Sequence, residues 1–453
     1  MLLAGAGVSV VAAVALVIKA PVLGLALVLA PLLLSRIVAS APSRLFVVVA
    51  GGLLVFQSSD SVGPAKFAYL AAAAVCVAVS GYRLATGSSS AVVSFRPMLA
   101  GSAVLVGYLV LNAVVARLHG VAATDWARDA APYFLLATLP IVGLDAGTDI
   151  SSRVLERTIG VLGVVAAAGF AVDWLNRRGV SSLGVGRLVL ATTTLAALGF
   201  SFAMVRAAGG PQRIRWAAAA VAVLALMLVT GTRTNLVLLA AVIGVVGSRA
   251  KSRVSLLRGL TVVAALALAA AAAIPALASR LSDDPQFISR RLEDLRVALS
   301  GGSDQSLAAR TFDYRLARAQ FDGHAWFGFG AGHLYDQPKG PPTVSLDTPW
   351  AVLAKFGIVG TALLLWYLLG TVRSMVRARR ITGPLSLYVV GRGWLFVLVA
   401  LAVVIPWTED KGSALALTLL VAAVAARLRE FVAGPRPETA FEVPMATPEA
   451  VLL

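Results

Sequence analysis

The chain has 453 residues, of which 59% are hydrophobic and only 13% are charged, and its mean hydropathy is +0.86. Soluble domains usually carry about 25% charged residues, and disordered chains combine low hydrophobicity with high net charge, so both classes are excluded. Because about 20 apolar residues cross a bilayer, the composition predicts an all-α polytopic membrane protein. We expect about 12–14 transmembrane helices and one large extracytoplasmic loop that contains short helices.

The basic excess, 39 Lys and Arg against 22 Asp and Glu, has two explanations. In a soluble protein it would suggest a nucleic-acid partner, whereas in a membrane protein the cytoplasmic loops are enriched in Lys and Arg. The hydropathy favours the second explanation, so no nucleic-acid partner is expected. The single cysteine, Cys76, lies in an apolar run and excludes both a disulfide within the chain and a cysteine-based metal cluster.

Apolar segments suited to membrane spans follow one another along the chain. They cover residues 1–18, 22–37, 45–56, 67–80, 98–116, 131–143, 159–175, 188–205, 216–230, 236–246, 257–278, 350–370, 393–406 and 413–426. No basic stretch precedes the first segment, which therefore indicates a span and not a signal peptide. We divide the chain into an N-terminal transmembrane bundle (1–278), a large extracytoplasmic loop (279–349), C-terminal transmembrane helices (350–428) and a cytoplasmic tail (429–453).

The distribution of charge predicts the orientation of these spans. With the N-terminus inside, the inner loops hold clusters of basic residues: Arg36, Arg44, Arg83, Arg96, Arg153, Arg157, Arg206, Arg213, Arg215, Arg249, Lys251, Arg253, Arg258, Arg373, Arg377, Arg379, Arg380, Arg427 and Arg429. The opposite loops contain fewer basic residues or have acidic residues beside them. This pattern predicts a multi-pass membrane protein with both termini in the cytoplasm. The composition, which is rich in Ala, Val, Arg and Gly and poor in Lys, favours a bacterial plasma (inner) membrane.

The large outer loop has the sequence of a small folded element. Residues 290–298 and 308–321 have helix-like spacing, and in the second segment Phe312, Leu316 and Ala319 fall on one stripe. A glycine-punctuated turn over residues 328–332 follows. All the histidines of the chain (His119, His324 and His333) fall on the predicted outer side, so the chemistry is expected there.

Four arginines are candidates for binding an anion. Arg233 is the one charge in a predicted outer hairpin, where a guanidinium either binds an anionic group or reaches the membrane interface. Arg310, Arg315 and Arg318 lie in the helix-like segment and can approach a common face. The alternative for Arg315 and Arg318 is a surface helix with ion pairs to the interleaved aspartates.

Several enzyme classes lack support in the outer loop. The glycine-rich turn is not followed by Lys-Ser or Lys-Thr, so it is not a nucleotide-binding loop. His324 and His333 show no HExxH pattern, and no Gly-x-Ser-x-Gly elbow occurs there. Outward arginines without nucleotide or metal motifs suit a lipid-pyrophosphate substrate.

The chain resembles the superfamily of O-antigen ligases and Wzy-type O-antigen polymerases, which are polytopic membrane glycosyltransferases. Three pieces carry the resemblance: residues 230–235 (TGTRTN), residues 310–314 (RTFDY) leading to 324–332 (HAWFGFGAG), and residues 347–360 (DTPWAVLAKFGIVG). The layout is also similar, because one large outer loop precedes the closing spans.

The resemblance implies a metal-independent, inverting glycosyl transfer without a cofactor on the extracytoplasmic face. The donor would be a polyprenyl-pyrophosphate-linked glycan, and the acceptor a hydroxyl of a glycan or glycolipid. Membrane lipids and other envelope-glycan assembly proteins would be further partners. We assign the pyrophosphate to Arg233 and Arg310, with Arg315 and Arg318 as weaker candidates.

The base that takes the acceptor proton would be Asp347, with His333 as second choice. Asp347 stands in the region where ligases of this superfamily have a histidine, and its alternative role is that of a helix cap. A polymerase is preferred over a ligase. A flippase or exporter of lipid-linked saccharides is the alternative from another class, although its charges should lie near the bilayer midplane.

Overall fold

The computed structural model describes residues 35–55, 64–87, 90–176, 182–209, 212–229, 305–336, 342–344, 346, 348–382, 386–402 and 407–434. Their helices are α1 (Ala41–Val55), α2 (Pro64–Thr86), α3 (Ser90–Leu118), α4 (Ala123–Asp149), α5 (Ser152–Asn176), α6 (Ser182–Gly209), α7 (Arg213–Val229), α8 (Gln305–Gly323), α9 (Trp350–Thr382), α10 (Ser386–Ala402) and α11 (Lys411–Val432). A 3₁₀ turn, Trp407–Glu409, precedes α11. No β-strand occurs within these ranges, apart from one bridge between Tyr335 and Thr343.

The described helices have the length and apolar character of a polytopic membrane protein. Four of them contain segments able to cross a bilayer: Lys66–Thr86, Ala91–Leu118, Ala123–Asp149 and Trp350–Thr382. The expected spans over 1–18, 236–246 and 257–278 lie outside the described residues, as does the predicted helix over 290–298. The count of 12–14 spans therefore stays a prediction.

Helix α4 is much longer than the apolar segment 131–143 that predicted it. The sequence pattern ends near Asp129 and Asp145, but both carboxylates are buried and paired with cations from other helices. Pairing removes the penalty for burying an isolated charge. The helix can therefore continue through both aspartates.

The core of the bundle is α11, whose residues are buried almost continuously from Gly412 to Ala426. It packs most closely on α4, where Gly143 and Gly147 allow the two backbones to touch. A Cβ on Gly147 would lie 2.7 Å from the carbonyl oxygen of Ala422. Small residues that permit such close approach are typical of helix pairs in membranes.

One end of the bundle, the arginine-rich end, is held together by ionic and polar contacts. The fully buried Arg44 donates to Asp145, with Nε–Oδ2 at 3.0 Å, and Arg206 pairs with Glu156. Arg429 donates to the carbonyl oxygen of Thr148. The opposite end, the histidine end, contains the turn between α3 and α4 and the starts of α9 and α11. Successive helices thus alternate in direction between the two ends.

Candidate functional site

Helix α9 is broken close to its start at the histidine end. Gly357 has φ +62° and ψ −169° inside the helix, a left-handed conformation that favours glycine. The turn that follows α8 occupies this break. The amide groups of Ile358 and Val359 donate to the carbonyl oxygens of Ala325 and Trp326, at 2.8 and 3.1 Å.

The same turn also bonds the part of α9 that precedes the break. The amide groups of Phe329 and Gly330 donate to the carbonyl oxygens of Ala354 and Lys355, at 2.9 and 3.1 Å. Gly328 has φ +71°, and a Cβ there would lie 2.5 Å from the Lys355 carbonyl oxygen. The backbone groups exposed by the break are therefore satisfied by the glycine-rich turn, as buried backbone groups require.

A buried ionic network, formed by Lys355, Asp129 and Glu409, lies beneath the turn. The Lys355 Nζ is 2.7 Å from Asp129 Oδ1 and 2.7 Å from Glu409 Oε1. The side chain of Lys355 is 1% exposed and that of Asp129 is 4% exposed. The hydroxyl of Tyr133 donates to Glu409 Oε1 at 3.1 Å. The network joins α4, α9 and the turn before α11.

The loop is attached directly to this network and to α3. The amide of Gly332 donates to Asp129 Oδ2 at 2.7 Å, and the amide of Ala331 donates to Asn112 Oδ1 at 3.0 Å. The other end of the Asn112 amide donates to the carbonyl oxygen of Lys355 at 3.2 Å. Asn112 thus holds the loop and the broken helix in one arrangement.

Three histidines gather around Phe329 above the network, and we call these four residues the histidine cluster. The ring of His119 stacks on Phe329 at 4.3 Å between centroids, and His324 and His333 contact the same ring at 4.9 and 4.5 Å. The centroids of His119 and His324 are 4.7 Å apart. Residues from the α3–α4 turn and from the loop after α8 therefore form one site.

The tautomer of His119 follows from its partner. Its Nδ1 lies 2.8 Å from the carbonyl oxygen of Phe329, and because a carbonyl can only accept, this nitrogen carries the proton. The Nδ1 of His324 and the indole Nε1 of Trp126 are buried without a hydrogen-bond partner. These two nitrogens at the histidine end are therefore available to a polar ligand.

His333 is the sequence-predicted base that the structure describes. Burial lowers its pKa below the ordinary value of 6.5, Asp336 opposes this shift, and His119 adds to it. The imidazole is therefore neutral at pH 7 and able to accept a proton. Burial also raises the pKa of Tyr335, whose ring contacts His333 at 4.9 Å, so this hydroxyl stays protonated.

The three arginines of α8 do not share one environment. Arg310 is half-buried, whereas Arg315 and Arg318 are exposed. Arg318 Nε is 3.8 Å from Asp322 Oδ2, which is the surface arrangement given above as the alternative. The buried stripe also differs from the expected one, because Ala317 is buried and Ala319 is exposed.

Two predicted site residues, Arg233 and Asp347, lie outside the described residues. At the start of α9 the neighbouring Thr348 supplies an accepting hydroxyl, 3.4 Å from the amide of Trp350. The ring of Trp350 contacts Tyr314 and Phe321 of α8. Helix α8, with Arg310, is thereby held against the start of α9.

The ionic network was not predicted from the sequence. The acidic residues of the predicted outer loops, which include Asp129 and Glu409, were considered there only as a group, and Lys355 only as part of the motif over residues 347–360. The available signal was a lysine inside an apolar run, since an ionisable residue in a span indicates a functional site with a partner. In the described part of the chain, no group of three His, Cys, Asp or Glu residues is arranged to hold a metal ion.

Neither a protein-family model nor a curated protein matches the chain. The resemblance to the O-antigen ligase and polymerase superfamily therefore stays a prediction from the motifs.

Proposed function

We propose that the chain is a membrane glycosyltransferase that acts at its histidine end. Its donor is a polyprenyl-pyrophosphate-linked saccharide, its acceptor is a sugar hydroxyl on another lipid-linked glycan, and the transfer is polymerase-like, inverting and independent of metal. The observation that carries this proposal is the histidine cluster. His333 lies within it, in a loop that the broken start of α9 holds next to membrane-spanning helices.

The chemistry requires a base and a stabiliser of the leaving group. The acceptor oxygen bonds to the anomeric carbon while the bond from that carbon to the pyrophosphate oxygen breaks, and the acceptor proton passes to the base. His333 suits this role because it is neutral at pH 7 and half-buried. Asp347 remains the other candidate. A neighbouring base contributes about 10²–10⁴-fold to such a step.

The leaving pyrophosphate gains negative charge, which fixed guanidinium groups stabilise in a water-poor site. Arg310 fits this role better than Arg315 or Arg318, because it is half-buried on a helix packed against the start of α9. Arg233 remains the second assigned arginine. Its motif, TGTRTN, supports the assignment by resemblance alone.

The charges at the two ends of the bundle support the proposed side of the membrane. Arg44, Arg83, Arg206 and Arg429 lie at the arginine-rich end, which the positive-inside rule assigns to the cytoplasm. The histidine end then faces the extracytoplasmic side. This orientation suits a donor whose saccharide has already been moved across the membrane.

A flippase of lipid-linked saccharides is the second candidate, and the break in α9 beside a buried ionic network favours it. Discontinuous helices with charged groups form the central sites of many transporters. However, Gly357 is the eighth residue of a 33-residue helix, and about 10 Å of helix separates it from the start. A site near one surface fits transfer at that surface better than a midplane transport site.

The glycans of cells lacking the gene separate these functions. We expect short saccharide units to accumulate on the polyprenyl carrier at the extracytoplasmic face, and the purified protein to join two such units in vesicles without added metal. Full-length chains retained on the carrier would instead identify a ligase. Units trapped at the cytoplasmic face would identify a flippase and overturn the proposal.

A further inference from the structure

Two aromatic residues at the tip of the glycine-rich turn are exposed. Trp326 is 68% exposed and Phe327 is 54% exposed, and Ile358, beside the break in α9, is 44% exposed. Single exposed apolar residues are common, but adjacent exposed Trp and Phe side chains form an apolar patch, which indicates a contact with an apolar partner. Their depth relative to the spans identifies that environment.

The first measure of depth comes from α9. Residues 356–372 carry no charge and end at Arg373. Because the hydrocarbon core needs about 20 helical residues, a core counted back from Arg373 begins near residue 353. Ile358 and Val359, whose amides bond Ala325 and Trp326, then lie about 8 Å inside the core.

The second measure is independent and comes from α3. Residues 97–116 are uncharged and lie between Arg96 and Arg117, which matches one hydrocarbon core of about 30 Å. A Cβ on Gly330 would lie 2.5 Å from the Cα of Ala116, at the edge of this run. The Phe327 carbonyl oxygen accepts from the Tyr108 hydroxyl at 3.2 Å, and Tyr108 is about two helical turns deeper than Ala116.

Many of the backbone polar groups of the turn are hydrogen-bonded within the protein. Irregular backbone at membrane depth requires that its polar groups be satisfied by protein. The carbonyl oxygens of residues 325, 326, 327 and 329 accept from α9, Tyr108 and His119, and the amides of residues 328–330 donate to carbonyl oxygens. This pairing lowers the cost of placing the turn at membrane depth, although the amides of residues 325–327 have no backbone partner.

We propose that residues 325–330 form a re-entrant turn that enters the bilayer from the histidine end, with Trp326 and Phe327 in contact with lipid acyl chains. The turn passes from the level of Ala116 down to that of Ile358 and returns to the surface before His333. This assignment concerns the membrane contact of the loop and is independent of the proposed transfer reaction.

Spin labels test the depth of Phe327 in the full chain reconstituted into phosphatidylcholine vesicles. The single cysteine, Cys76, is replaced by Ala, and a nitroxide is attached at Phe327→Cys, at Leu365→Cys on the exposed face of α9, and at Arg315→Cys on the exposed face of α8. We expect the label at 327 to resemble that at 365, with greater collision rates for oxygen than for a water-soluble nickel chelate. A label at 327 that resembles the one at 315 overturns the proposal.

A second measurement avoids any disturbance by the label. Brominated acyl chains quench tryptophan fluorescence on contact, and Trp326→Phe removes one fluorophore while keeping an apolar ring. In vesicles of brominated phosphatidylcholine, we expect the quenchable part of the emission to be smaller for Trp326→Phe than for the natural protein. If the fraction of the emission quenched by the brominated lipid is unchanged, Trp326 does not contact lipid and the proposal is wrong.

Discussion

Lys355 of α9 and Asp129 of α4 form an ion pair with 2.7 Å between Nζ and Oδ1, although 226 residues separate them in sequence. Both side chains are almost completely buried, and Glu409 contacts the same Nζ. The amide of Gly332 bonds the second oxygen of Asp129. The pair therefore links the transmembrane helices to the loop that contributes His324, Phe329 and His333 to the histidine cluster.

Replacing Lys355 with Met should strongly destabilise the protein. The substitution leaves two buried carboxylates without their ammonium partner, and breaking a buried ion pair typically costs about 3–5 kcal/mol. Thermal unfolding in detergent measures the loss. Adding Asp129→Asn to Lys355→Met should recover part of it, because one unpaired charge is then removed.

Arg318→Ala is the control for this prediction. Its ion pair with Asp322 is exposed and 3.8 Å long, and such pairs contribute less than about 1 kcal/mol. Equal losses for the Lys355 and Arg318 variants would contradict a structural role for the buried network.

Gly357→Ala should displace the loop from α9. A Cβ at Gly357 would lie 2.5 Å from the amide nitrogen of Gly328, and the residue has φ +62°, so both sterics and backbone strain oppose the substitution. Strain of this kind costs about 1–3 kcal/mol. We expect a lower unfolding temperature.

The matched control is Gly107→Ala in α3, where a Cβ meets no atom within 4 Å. Alanine is the better helix former by about 1 kcal/mol, so this variant should be as stable as the natural protein or slightly more stable. If Gly357→Ala and Gly107→Ala have the same unfolding temperature, close packing of the turn against Gly357 does not exclude a side chain at this position.

The pH dependence of transfer should identify the base. His333 accepts a proton only when neutral, and burial lowers its pKa below 6.5. We therefore expect the rate to be constant from about pH 7 upward and to fall as pH decreases through that lowered pKa. His333→Ala should reduce the rate and remove this acid limb.

Asp347→Asn completes that experiment. A large loss of transfer in Asp347→Asn together with an unchanged acid limb in His333→Ala would identify Asp347 as the base that takes the proton.

The lowered pKa of His333 also affects the stability of the fold. Neutral His333 is favoured in the folded state, so its contribution to stability is present above pH 6.5 and is lost as the pH falls through the folded-state pKa.

Replacing Arg310 with Ala should reduce transfer by about 100-fold or more, which is the usual effect of removing one fixed donor to a developing negative charge. Arg233→Ala should have a similar effect, and Arg233→Lys should rescue poorly, because lysine lacks the planar fork of donors. Transfer is measured with a radiolabelled lipid-linked donor in vesicles.

Arg315→Ala serves as the control for the arginines, since it removes an equal charge from the exposed face of α8. We expect it to retain nearly full transfer. If Arg310→Ala and Arg315→Ala reduce transfer equally, the positive charge of α8 has a general effect, and Arg310 does not belong to a specific pyrophosphate site.

Hydropathy placed most of the apolar helices that the structure describes. The predicted segment 98–116 lies within α3, 350–370 within α9, and 413–426 within α11. The ends were predicted less well, because Asp129 and Asp145 interrupt an apolar pattern but are paired in the structure. A local pattern cannot show a partner from a distant helix.

The site was predicted only in part for the same reason. The outer-side placement of the histidines suggested a common region, and His119, His324 and His333 do contact one another or Phe329. The break at Gly357 gave no distinct signal, since glycine is common in transmembrane helices. Its role depends on a turn that ends some 25 residues earlier and on hydrogen bonds between the two segments.

The distance in sequence between Asp129 and Lys355 also affects how the protein is made. The ribosome adds about 5–20 residues per second, so 226 residues separate the synthesis of the two partners by roughly 10–45 s. Throughout that interval α4 holds a carboxylate with no ammonium group to neutralise it. Until Lys355 is synthesised, the carboxyl group of Asp129 therefore either stays in contact with water as the anion or is carried in α4 as the neutral acid.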